Sequence, residues 1–138
     1  MFKIFENPGN TLIATGILHL ITGFVLKPIS IPLVNLLKKG WFLQLGGIDD
    51  ALSITDYSNL NYDQQFAFWF QLGGIQFILL GEAIKQLLKL NGKIPKVLSW
   101  GLIGFGLFGT ATDPVSGFPL LVGIGIWMLN FKSNQKQK

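Results

Sequence analysis

Four apolar runs alternate with polar breaks along the chain, and their lengths and periods predict an all-helical protein. The longest is AFWFQLGGIQFILL, from Ala67 to Leu80, extended by GEAIKQLLKL to Leu90, with Gln71 and Gln76 its only polar interruptions before Glu82. From Phe66 to Leu88 it supplies the roughly 20 residues, at about 1.5 Å each, that a hydrocarbon core of about 30 Å requires, and no proline breaks it. Phe66, Phe68, Trp69 and Phe70 suit one membrane interface, and Lys85 and Lys89 the other. At about 100° per residue, Gln71, Gly74, Ile78, Gly81, Glu82, Lys85 and Lys89 share one stripe, which is expected to face protein rather than lipid.

The first run, TLIATGILHLITGFVL, predicts a span over about residues 10–26, with Asn10 as its N-cap and Pro28 forcing its end. It has the look of a secretory h-region, but no small-x-small site follows, so a retained span is expected. Thr15, His19, Thr22 and Gly23, with Gly16 nearby, give it a small and polar face that should pack on the stripe of the second span. Residues 27–65 form a long connection. Within it, Ser30 or Ile31 followed by Pro32 at a first helical position, then LVNLLKK and Gly40, predicts a two-turn helix lying along the membrane surface. The alternative is a first span that continues, kinked, through Pro28 and Pro32. Beyond Trp41, the stretch GGIDDALSITDYSNLNYDQQ is polar and acidic, reads as water-exposed, and has room for a short helix after Asp49 and Asp50.

The turn NGKIPK places Asn91 and Gly92 at a helix end and Pro95 at the next start. A third span, about 97–112, carries Gly101, Gly104, Gly106 and Gly109 and should approach its neighbours closely. The turn DPVSG, with Ser116 as a cap, leads into a fourth span, about 117–131, which forms a tight hairpin with the third. Residues 132–138 are a polar tail. The fold class expected is thus all-α: one integral membrane domain over 1–131, a four-helix bundle with spans at about 10–26, 66–88, 97–112 and 117–131 and one short interfacial helix after the first.

Composition supports the membrane reading. Of 138 residues, 49% are apolar and 13% charged, and the mean hydropathy is +0.46. All 11 basic residues are Lys, scattered between apolar runs rather than gathered in a stripe, so the net charge of +4 does not point to nucleic acid. With no Cys, disulfides and thiol catalysis are excluded. Four spans put both termini and the loop between spans two and three on one side. That side holds eight of the 11 Lys, against Lys27, Lys38 and Lys39 on the other. Cytoplasmic termini are therefore expected.

GILHLITG at Gly16 to Gly23, FAFWFQLGG at Phe66 to Gly74, LSWGL at Leu98 to Leu102 and DPVSGFPLL at Asp113 to Leu121 carry a resemblance. Together, from about Thr11 to Phe131, the chain resembles an uncharacterised domain-of-unknown-function family of small bacterial four-helix membrane proteins. The resemblance implies an up-and-down bundle, loosely similar to DoxX-like proteins, in a bacterial inner membrane. It brings no activity, ligand or catalytic residue. The long acidic connection departs most from the family's pattern.

Candidate chemistry is sparse. His19, the only histidine, lies near the middle of the first span, where an ionisable group marks either a relay or a hydrogen bond between helices. Matching helix midpoints sets it opposite Gln76, with Thr22 opposite Gly73 and Glu82 nearer Ile13 and Thr15, to within about a turn. Glu82 is a candidate buried acid, or else the partner of Lys85 in an ion pair. Asp113 before Pro114 is a turn former or a ligand contact. Gln71 and Gln76 point to different sides of their helix, so one is available for a homodimer contact. No metal or cofactor site is expected from one His and no Cys, and no catalytic constellation of Ser, His and carboxylate is evident. The function favoured is a non-enzymatic membrane protein holding a lipid-like or quinone-like molecule between the small-residue faces of spans one to three, with His19, Thr22, Gln71, Gln76, Glu82 and Asp113 as ligand-binding candidates. A proton-coupled transporter acting as a dimer and an intramembrane isomerase using His19 and Glu82 are the alternatives.

Overall fold

The computed structural model describes residues 5–39, 62–112 and 117–131. These are all-helical: α1 (Pro8–Val25), α2 (Lys27–Lys39), α3 (Tyr62–Asn91), α4 (Lys96–Thr112) and α5 (Phe118–Asn130). The acidic connection and the DPVSG turn, with Asp113 and Ser116, lie outside the described residues, as does the polar tail. The chain divides into two compact units, Met1–Ala14 with Phe77–Lys138, and Thr15–Gln76.

Helix ends follow from local chemistry. Asn7, not Asn10, caps α1: its Oδ1 accepts the backbone N–H of Asn10 at 3.0 Å, and Pro8 takes the first helical position, where its missing N–H leaves nothing unpaired. Pro28 cannot donate to Phe24, so α1 stops at Val25 and α2 begins again after Leu26, whose carbonyl accepts from Ile29 and Ser30. The surface helix expected from Pro32 onward therefore starts five residues earlier, at Lys27, with Pro32 in its interior. The 30 residues of α3 exceed the expected span at both ends. It starts with Asp63 in its first turn, favourable to the helix dipole, and closes on Gly92, whose φ of +65° and N–H bond to the Leu88 carbonyl make an αL cap.

In the unit Thr15–Gln76, α2 presents Ile29 and Leu33 to Ala67 and Phe70 of α3. Their spacing of four puts one helical face against the partner. The second part of α1 meets α3 through small residues: a Cβ on Gly74 would stand 3.1 Å from the Gly16 carbonyl, and one on Gly23 would overlap the Gln71 amide.

In the other unit, Leu12 of α1, Ile84 and Leu88 of α3, Leu102 of α4, and Leu121, Ile124 and Met128 of α5 form one core. The same small-residue device recurs there, since a Cβ on Gly81 would lie 2.6 Å from the Gly9 carbonyl. Glycines thus stand at 9, 16 and 23 on α1 and at 74 and 81 on α3, seven residues apart on each helix, the period that keeps one face toward a partner. The hairpin expected of α4 and α5 is present and uses two of the four glycines of α4. Gly106 accepts Val122 and Gly109 the ring of Phe118, whereas Gly101 and Gly104 face open space. Ser99 completes the seam opposite Gly125, whose Cβ would lie 3.0 Å from the Ser99 carbonyl. The N-cap position of α5 is taken by Gly117, without a side-chain hydrogen bond, and Pro119 lies in the first turn.

Candidate functional site

Two of the six residues singled out in the sequence, His19 and Gln71, lie along one contact in the unit Thr15–Gln76. His19 is half-buried and stacks on Phe70 at 3.7 Å between ring centroids and 14° between planes, with Nε2 beside Gly73. One helical turn on, Gly23 makes room for Gln71, which is 9% exposed and whose side-chain nitrogen and oxygen both lack a hydrogen-bond partner. Thr22 donates its hydroxyl to the Leu18 carbonyl at 2.8 Å, so this hydrogen is engaged by its own helix.

The helix register agrees with the midpoint estimate to within a turn. His19 faces Phe70 and Gly73, three residues from the exposed Gln76, and Ile13 meets Gly81, one residue from Glu82. Close approach occurs where glycines of the two helices coincide, Gly9 with Gly81 and Gly16 with Gly74. As expected, Gln71 and Gln76 part company, one buried and one exposed.

Glu82 lies in the other unit and is exposed. Its Oε2 pairs with Lys85 Nζ at 2.8 Å and its Oε1 accepts from Gln86 Nε2 at 2.9 Å, so both oxygens are held on the surface of α3. The small-residue faces of α1 and α3 touch each other, which leaves no space at those contacts for the ligand expected between them. Among the described residues no group of three or more His, Cys, Asp or Glu is placed to hold a metal ion.

Two features escaped the sequence reading. Ser99 is fully buried and its hydroxyl has no partner. A small polar residue alone on an apolar helix opposite a glycine is a weak signal for this. The second is a cleft of about 620 Å³ in the unit that contains α4 and α5, lined by Asn91, Lys93, Ile94, Pro95, Lys96, Met128, Leu129 and Phe131. Its signal was the pair of Lys flanking Ile94 and Pro95, counted for orientation but not for binding.

No curated protein and no solved structure matches the chain. What the fragments GILHLITG, FAFWFQLGG, LSWGL and DPVSGFPLL indicated is borne out at the level of family: residues 3–135 match one family model, and the chain belongs to the family of unknown function DUF6463.

Proposed function

We propose that the protein is an integral membrane protein, a bundle of α1, α3, α4 and α5 as spans with α2 as a short interfacial helix, that holds a lipid-like or quinone-like molecule. The observation that carries the reading is where the apolar side chains point. The apolar windows of α1 and α3 have mean hydropathies of 1.2 and 1.3, yet only 33% and 28% of them is buried. On α1, Ile17, Leu18, Ile21, Phe24 and Val25 are 47–69% exposed, while Gly16 and Gly23 face protein. Burying such a side chain is worth about 1.5–3 kcal/mol, so leaving five of them about half exposed to water forgoes roughly 4–8 kcal/mol. That is comparable to the whole stability of a domain, about 5–15 kcal/mol. Hydrocarbon removes the deficit, and small residues at helix contacts are the packing lipid favours.

Among the described residues, the two helices long and apolar enough to cross by themselves are α1 and α3. Over its 30 residues α3 reaches about 45 Å, so the Lys85 and Lys89 end emerges from a core of about 30 Å. The 17 residues of α4 and 13 of α5 are shorter, and their flanks and local thinning complete the crossing. Trp100 and Trp127 lie toward the Lys-bearing ends of these two helices, as interfacial anchors do. The Lys distribution supports cytoplasmic termini. Proton-coupled transport draws no support from Glu82, which is exposed and already ion-paired.

Purification in a mild detergent followed by mass spectrometry of extracted small molecules tests the proposal. A lipid or isoprenoid retained in proportion to protein is expected. Recovery of the protein from the soluble fraction without detergent overturns it.

A further inference from the structure

We infer that the cleft beneath the α3–α4 turn is a binding site for the headgroup of an acidic phospholipid, an inference that rests on the membrane reading above. Its volume, about 620 Å³, falls within the range of small-molecule sites, about 300–1,000 Å³. Its lining is divided in the way an amphiphile requires. Lys93, Lys96 and Asn91 supply cationic and hydrogen-bonding groups, and Ile94, Met128, Leu129 and Phe131 supply an apolar wall. Lys93 and Lys96 are both exposed, so their ammonium groups are available to a ligand at the membrane surface.

The electrostatic balance favours an anion. The C-terminal ends of α3 and α5 lie at the cleft and the N-terminal end of α4 opens from it. Each helix end contributes about half a charge, so the three together leave about half a negative charge. Two Lys outweigh this. Lys89, in the last turn of α3, adds to the excess, and no lining residue is acidic. At the start of α4 the Leu98 N–H already donates to the Pro95 carbonyl at 3.0 Å, which leaves the N–H groups of Lys96 and Val97 without a partner within their helix and suited to phosphate oxygens. Basic pockets between spans on the cytoplasmic side are where acidic headgroups are held, and the Lys distribution puts this turn on that side.

The test uses the full chain purified in detergent, with its thermal unfolding measured in the presence of short-chain phosphatidylglycerol, short-chain phosphatidylcholine or inorganic phosphate. Phosphatidylglycerol is expected to raise the midpoint, phosphatidylcholine to do so far less, and phosphate at the same concentration not at all. The double variant Lys93→Gln, Lys96→Gln is expected to bind phosphatidylglycerol roughly 30-fold more weakly, from about fivefold per surface Lys. The control Lys27→Gln, Lys38→Gln, on α2 and not among the lining residues, is expected to bind as the parent does. Equal affinity of the cleft variant and the parent overturns the inference, as does equal protection by phosphatidylcholine or by free phosphate. In those cases a chain that still requires detergent keeps the membrane reading, which fails separately if the chain is soluble without it.

Discussion

Gln71 brings a side-chain amide into the α1–α3 contact with neither of its polar atoms paired. A buried polar group left so costs about 1–3 kcal/mol. Gln71→Met, of similar length and apolar, is therefore expected to unfold at a temperature equal to or above the parent's in detergent, with the same co-purifying molecule. A variant that loses that molecule would identify Gln71 as a ligand group rather than a tolerated cost. The glycines offer a sharper contrast. A Cβ on Gly81 meets the Gly9 carbonyl at 2.6 Å and the Ile13 backbone N at 2.9 Å, atoms that cannot swing aside, whereas one on Gly101 meets nothing within 4 Å. Gly81→Ala is expected to cost about 1–3 kcal/mol, as overpacking does. Gly101→Ala is expected to be neutral or to gain up to about 1 kcal/mol from helix propensity. Equal melting temperatures for the two variants would show that the close contact at Gly81 is not made.

At the scale of elements, the end of α3 depends on Gly92 in the left-handed region. Gly92→Ala should cost about 1–2 kcal/mol and Gly92→Asn distinctly less, because Asn tolerates αL and Ala does not. Unfolding midpoints measured for both variants check the order. This cap was legible in the sequence as Asn91-Gly92 ahead of Pro95. The cap of α1 was misplaced by three residues, because Asn7 and Asn10 both qualify by type and only Pro8, preferred at a first helical position, discriminates between them. Helix existence was legible wherever apolar runs were long. Which glycines of α4 pack was not, because Gly101, Gly104, Gly106 and Gly109 are equal in composition and only the position of Phe118 and Val122 separates them. The register of His19 was legible to within a turn, since matching helix midpoints sets it only three residues from its observed neighbour Gly73. The seven-residue spacing of glycines at 9, 16 and 23 and at 74 and 81, which marks the faces that meet, is also present in the sequence.

For the whole molecule, the central claim is that the apolar side chains turned outward face lipid. The Lys distribution adds an orientation to this. Reporter fusions at Lys138 and within Asn91 to Lys96 are expected to be cytoplasmic and one near Asp56 external, and a shared side for Lys138 and Asp56 would refute four spans. The most direct measurement uses the absence of cysteine. Single Cys residues are placed at Leu18 and Leu79, exposed at 61% and 64%, and at Lys93, on the turn after α3. Each variant is then treated with a membrane-impermeant maleimide in native membranes opened to both sides. The account predicts rapid labelling at Lys93→Cys and almost none at Leu18→Cys or Leu79→Cys until detergent is added. Labelling of all three at the same rate without detergent would contradict it, because side chains that exposed can escape the reagent only if lipid covers them.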